Sequence, residues 1–304
     1  MPELTADLIA AIRQSVSDNF DAQLAFTQKL IRMGGQRGDE GAVQEFMYAE
    51  LQERGYGPVK FEMDEEALAR HVGAGKFSGT HSRAPIVVGV HRPGGGGATR
   101  GKSLILNGHV DVVPVGPLDL WEKSQDPYSA HVEGDRLYGR GAGDMRAGHA
   151  ANLFALDALR RIGLQPAAEV IVESVVEEES TGNGTLMTHL KGYKADAVLC
   201  PEPMDEKLVR AGVGVLWFQI EVKGKPVHVR EMGAGGNAID ATWRVVGALR
   251  KMEERWNGVE EREVRMKERK VYFEEEAHPL SECAFLVPKW SNASKLFCCW
   301  LIFL

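Results

Sequence analysis

Between Ser103 and Asp111 an apolar run closes on Asn107-Gly108 and is followed by a histidine and an aspartate two positions apart. Extended backbone turns alternate side chains to one face, so His109 and Asp111 can share a side as the strand runs out. A metal-binding imidazole commonly has its second ring nitrogen held by a carboxylate, which fixes tautomer and ring orientation. A lone His-x-Asp is just as well a strand-end pair in a solvated loop. Acidic groups recur downstream, however: Asp144 ahead of a helical stretch, Glu177, Glu178 and Glu179 after an apolar run, and Glu202 between two prolines after another. Singly, Asp144 reads as a helix N-cap, the three glutamates as partners of the next helix dipole, and Glu202 as a surface turn. Together they put acidic groups at strand ends with no basic partner, a charge that a divalent cation would balance. One imidazole with several carboxylates suits zinc, cobalt or manganese, whereas copper(I) or an iron–sulfur cluster would want thiolates.

Ligands of open parallel sheets bind beyond the carboxyl ends of the strands, so the surrounding elements must deliver these residues to one edge. Apolar spacing over residues 5–33 predicts two surface helices or one broken helix, stopped by Gly34-Gly35, and a further amphipathic helix spans Gly41 to Gly55. Strands are predicted for Tyr56–Met63, Pro85–Val90, Ser103–Asn107, Val170–Val176, Asp196–Cys200 and Val213–Val222. Helices are predicted for Met145–Ile162, Thr181–Leu190 and Asn237–Trp256, the last capped by Asn237. Asn107-Gly108 is expected to turn or end its strand, and Pro93–Gly97 to be a flexible hairpin tip. The alternation of strands and helices is that of an α/β fold with a mainly parallel sheet. Gly139-x-Gly141-x-Gly143 fails as a dinucleotide loop, because Arg146 stands where the third glycine is needed and Asp144 would oppose a pyrophosphate.

At 304 residues the chain exceeds one average domain, and 44% hydrophobic with 26% charged residues is the balance of a soluble globular protein. A net charge of -7 gives no electrostatic case for nucleic acid or an anionic membrane, so small molecules are the expected partners. The four cysteines form no CxxC pair, which suggests neither a disulfide framework nor a thiolate zinc site. The opening Met1-Pro-Glu-Leu-Thr-Ala-Asp lacks a basic region followed by an apolar core, so a cytoplasmic setting is expected. The long apolar run at Leu296–Leu304 is too short to span a bilayer.

Four motifs in order, Gly108-His-Val-Asp111-Val-Val-Pro, Gly139-Arg-Gly-Ala-Gly-Asp144-Met-Arg-Ala-Gly, Glu177-Glu-Glu-Ser-Thr-Gly182-Asn-Gly and Pro201-Glu202-Pro, resemble the zinc aminoacylases and deacylases. That family includes acetylornithine deacetylase, succinyl-diaminopimelate desuccinylase, aminoacylase and carboxypeptidase G. The resemblance covers roughly residues 5 to 280. It implies that His109 and Glu202 bind one Zn2+, that Asp144 bridges two, and that Glu179 binds the second, with Co2+ an alternative. It further implies that Asp111 orients His109 and that Glu178 is the general base for hydrolysis of an N-acyl amino acid. A dipeptidase or carboxypeptidase of the same family, or a non-catalytic relative acting as a partner, are the other readings. Gly224-Lys-Pro-Val-His228 resembles the family's smaller lid and dimerisation domain, where a histidine reaches into the partner's site to hold the developing oxyanion. His228 takes that place here, and a homodimer is implied.

These readings divide the chain into a catalytic part (1–208), a partial lid (209–280) and a divergent hydrophobic tail (281–304). Family members carry a further segment that completes the first domain and supplies the last histidine of the second zinc. Here the family pattern stops after Glu274-Glu-Glu-Ala-His278-Pro, so a truncated or frameshifted ending is expected, with the second metal site short of a ligand. Lys295 to Leu304 shows neither strand alternation nor helix caps.

Overall fold

The structure, a computed structural model, describes residues 5–93, 101–204, 209, 220–257 and 300–303. The chain divides into two compact units, Met1–Arg210 with Trp290–Leu304, and Ala211–Lys289.

In the first unit the order is α1 (Ala6–Asp18), α2 (Phe20–Arg32), α3 (Gly41–Glu53), β1 (Val59–Phe61), α4 (Glu65–Ala69), β2 (Ile86–His91), β3 (Leu104–His109), β4 (His131–Glu133) and β5 (Arg136–Tyr138). After these come α5 (Gly148–Arg161), β6 (Val170–Val175), α6 (Asn183–Leu190), β7 (Ala197–Cys200) and, beyond the second unit and its helix α7 (Ala238–Asn257), β8 (Trp300–Phe303). Thr5 caps α1 by accepting from the Leu8 amide, and the break before α2 falls at Asn19. Of the two expectations for residues 5–33, the pair of helices is the one that forms.

Among the described residues one six-stranded sheet runs β1-β2-β6-β3-β7-β8, and β4-β5 is a separate hairpin. The centre, β6-β3-β7, is parallel, and β1, β2 and β8 are added antiparallel. Neighbouring residues of β6 show that both faces are covered. Glu173 bonds Asn107, which also reaches Thr185 of α6, while Ser174 turns the other way to Gln44 of α3. A strand covered on both sides should be apolar throughout, and all six positions of β6 are buried. Phe26, Leu30, Met47, Leu51 and Phe154 pack on this core from α2, α3 and α5.

Several boundaries move. β3 continues through Asn107-Gly108 instead of turning, because its ladder with β6 runs on to His109 opposite Val175. Glycine is needed at 108: a Cβ there would stand 2.0 Å from Nδ1 of His149. The helix predicted from Met145 starts at Gly148, preceded by a kinked turn (Ala142–Ala147) in which Asp144 is extended (φ -111, ψ 100). Asp144 is therefore no helix cap. Within the tail that carries no strand alternation, Trp300–Phe303 nonetheless forms a strand, antiparallel to the outer edge of β7. An exposed strand edge offers a row of free N–H and C=O groups that such a run can satisfy without alternation. The predicted strand at 213–222, the glycine loop and the segment around His278 lie mostly or wholly outside the described residues.

The second unit contains α7, capped by Asn237, whose Oδ1 accepts from the Ile239 amide at 2.9 Å. Before it a short helical turn (Val229–Ala234) follows His228, and Lys225 bridges to Gly236. No helix among the described residues is long and apolar enough to cross a membrane.

Candidate metal centre

Because β3, β6 and β7 are parallel and in register, their carboxyl ends leave the sheet at one edge. His109 is the last residue of β3, Glu178 and Glu179 follow β6, and Glu202 follows β7. The kinked turn ahead of α5 brings Asp144 to the same place. Around Nε2 of His109 stand Asp144 Oδ1 at 3.1 Å, Glu178 Oε2 at 3.7 Å and Glu202 Oε1 at 3.7 Å. The ligand atoms of His109, Glu178 and Glu202 lie within 4.8 Å of one another, as do those of His109, Asp144 and Glu179.

The imidazole is buried and its Nδ1 faces the Asp111 backbone carbonyl at 2.9 Å, with the Asp111 carboxylate at 3.5 Å. A neutral ring donating from Nδ1 leaves the Nε2 lone pair toward the acidic cluster, the orientation that ligation needs. The Asp111 carboxylate in turn accepts the amides of Glu178 at 3.3 Å and Glu179 at 3.0 Å, tying the loop after β6 to the end of β3.

The electrostatics are those of a crowded acidic cluster. Burial would lower the His109 pKa, but Asp111 and Asp144 at its two nitrogens raise it well above its ordinary value. Burial would raise Asp111, and His109 with the two amides holds it below the carboxylate range instead. Glu178 is raised by burial. Glu179 is pushed up to about 7 by burial and by Asp144, and Glu202 is raised by burial and by its acidic neighbours Asp144 and Glu178. Carboxyl groups raised by crowding are what a cation of charge two would relieve. The donor set, one imidazole nitrogen and four carboxylates, fits zinc, cobalt or manganese.

The structure thus gathers His109, Asp111, Asp144, Glu178, Glu179 and Glu202. His228 lies in the second unit, exposed, its Nδ1 accepting from the Arg230 amide at 3.3 Å. Three supporting residues escaped the sequence reading. Arg146 is buried and donates to the carbonyls of Leu30, Gly34 and Val110, which fixes the kinked turn. Burial lowers it to about 10. His149 is wholly buried behind Gly108, and burial pushes it down to about 3. Glu177 is buried as well, with its carboxylate on Ser82, Ser180 and Thr181. Nothing in spacing alone separated Glu177 from the two glutamates after it, and Arg146 carried no signal beyond standing in a motif.

Residues 105–284 match the model of peptidase family M20/M25/M40. The chain belongs to peptidase family M20/M25/M40. Among relatives of this M20 chain, the N-formyl-4-amino-5-aminomethyl-2-methylpyrimidine deformylase of Bacillus subtilis (strain 168) is 32% identical over 165 residues, 51% of this chain and 38% of that protein. A probable succinyl-diaminopimelate desuccinylase of Staphylococcus aureus (strain MRSA252) is 32% identical over 139 residues, 45% of this chain and 34% of that protein. The M20 chain therefore spans little more than a third of the length of these curated relatives. Among solved structures, a tripeptidase from Staphylococcus aureus aligns at 18% identity with a TM-score of 0.47, covering 74% of this chain and 55% of that one.

Proposed function

We propose that this chain binds a divalent cation, zinc first, at His109, Asp144, Glu179 and Glu202, and serves the hydrolysis of an amide bond in a small N-acyl amino acid. One observation carries this: a buried imidazole whose Nε2 is surrounded by carboxylate oxygens of Asp144, Glu178 and Glu202 at 3.1 to 3.7 Å, beyond the carboxyl ends of three parallel strands of a mixed sheet. The names of the relatives, a deformylase and a desuccinylase, support removal of an acyl group. When bound, the cation polarises a carbonyl and lets water act as a nucleophile near neutral pH.

The chain's own groups supply the rest. His109 presents Nε2 because Nδ1 is held by Asp111. Glu178 is the general base: half-exposed at the edge of the cluster, with its pKa raised by burial, it can take a proton from water and return it to the leaving amine. His228 is the donor to the developing oxyanion in a neighbouring copy of the chain. Its Nδ1 accepts a backbone amide, which leaves Nε2–H as the donating edge.

Glu178→Gln tests the reading. Turnover of acetylated amino acids should fall about 10²- to 10⁴-fold while zinc uptake persists. Equal turnover by the variant sinks the assignment of the base, and a wild-type chain that takes up no zinc sinks the cation.

A further inference from the structure

Glu177 opens the acidic triplet yet belongs to neither set of cation-competent atoms. Its residue is fully buried, and its backbone sits at φ +67, a left-handed conformation that glycine adopts freely and other residues seldom do. Oε1 accepts the Ser82 amide at 2.7 Å, and Oε2 accepts the hydroxyls of Ser180 at 2.9 Å and Thr181 at 3.1 Å. Its carbonyl takes the amides of Thr181 at 3.0 Å and Gly182 at 2.8 Å. Arg37 Nε stands 3.7 Å from Oε1.

Ser82 extends this network outward. Its hydroxyl donates to Glu40 Oε2 at 2.8 Å, and Glu40, just before α3, also accepts the Gly38 amide at 2.9 Å. The loop after β6 is thus pinned twice. Asp111 holds the amides of Glu178 and Glu179 from the side of β3, and Glu177 holds the same loop to the Ser82 segment. An unfavourable backbone conformation persists only where its surroundings over-determine it, and these bonds are what does so here.

We infer that Glu177 is a positioning residue: through its clamp on Ser82, Ser180 and Thr181 it sets where the Glu178 and Glu179 carboxylates stand, and so sets the affinity of the centre for its cation. This rests on the cation reading above and adds a residue to it. The discriminating variant is Glu177→Gly, since glycine accepts the left-handed backbone and only the clamp is lost. Glu177→Gln is the rescue, because its amide oxygen can accept the Ser82 amide while the two hydroxyls turn to accept from its NH2.

The measurement is Co2+ titration of the full chain followed by visible absorption, with a thermal melt of each variant. Glu177→Gly should melt cooperatively yet bind Co2+ about 10- to 100-fold more weakly with an altered absorption band, and Glu177→Gln should return both toward wild type. Unchanged Co2+ affinity and spectrum in Glu177→Gly overturns the inference alone. A wild-type chain that binds no Co2+ overturns the cation reading and this inference with it. If Glu177→Gly does not melt cooperatively, Ser180→Ala decides: weaker Co2+ binding at an unchanged melting temperature supports the clamp, and unchanged binding refutes it.

Discussion

Nδ1 of His109 is closer to the backbone carbonyl of Asp111, at 2.9 Å, than to the Asp111 carboxylate, at 3.5 Å. The carboxylate accepts the amide of Glu178 on Oδ1, the oxygen that faces His109, and that of Glu179 on Oδ2. Asp111 therefore serves two loops at once. In Asp111→Asn the carbonyl could still hold the ring, but an NH2 would face one of the two amide donors. Zn2+ affinity should fall about 10- to 100-fold, measured by competition with a chromophoric chelator. A variant that binds Zn2+ like wild type would assign the orientation of His109 to the backbone alone.

The metal-free chain should be most stable in mildly acid solution, near the ordinary glutamate pKa of 4.5. Glu179, at about 7 when folded, and the raised Glu202 and His109 bind protons more tightly in the folded chain, so their contribution is lost as pH rises through those values. His149 works the other way. Depressed to about 3, it contributes stability above its ordinary value of 6.5 that is lost as pH falls below it. Between the ordinary carboxyl value of 4.5 and about 7 the two raised glutamates outweigh the single His149, so in chelator the melting temperature should fall as pH rises through that window, and fall again in more acid solution as His149 is forced to charge. Added Zn2+ should flatten the alkaline limb, and an alkaline limb that is flat without metal would contradict the crowding.

Gly148 allows the start of α5 to approach the loop that bears Glu202, since a Cβ there would lie 2.1 Å from the carbonyl oxygen of Pro201. Gly148→Ala must push Pro201 and Glu202 away, at about 1–3 kcal/mol, and weaken Zn2+ binding together with stability. Gly41→Ala is the control, because nothing lies within 4 Å of its added carbon. Equal melting temperatures and affinities in the two variants would disprove the close approach.

Arg146→Met keeps an unbranched apolar stem, shorter than the guanidinium side chain, and removes every donor. The carbonyls of Leu30, Gly34 and Val110 lose that partner, offset in part by relief of a buried charge. A loss of about 3 kcal/mol is expected by chemical denaturation, with the slope unchanged. A smaller loss than about 1 kcal/mol would mean that water replaces the guanidinium.

Much of the centre was legible because its residues follow strands. Periodicity located β3, β6 and β7, and the rule that ligands gather at carboxyl ends placed His109, Glu179 and Glu202 on one edge. Asp144 was harder, because glycines before a helix read as a cap and the extended backbone there depends on Arg146 reaching three distant carbonyls. Glu177 was hidden for a related reason. Its partner Ser82, and Glu40 beyond Ser82, lie far off in sequence, and a left-handed glutamate leaves no mark on composition or spacing. The pairing of Trp300–Phe303 with β7 was missed because alternation is the signature of a half-exposed strand, which an uninterrupted apolar run does not carry.

The matching of Leu106 with Val172 on one side and Leu199 on the other has a consequence for assembly of the molecule. A slip of β7 by one position would carry Glu202 about 3.3 Å along and turn it to the opposite face. Misaligned copies would then lack a working pocket, so cation uptake during refolding would count only those chains whose strands had lined up correctly.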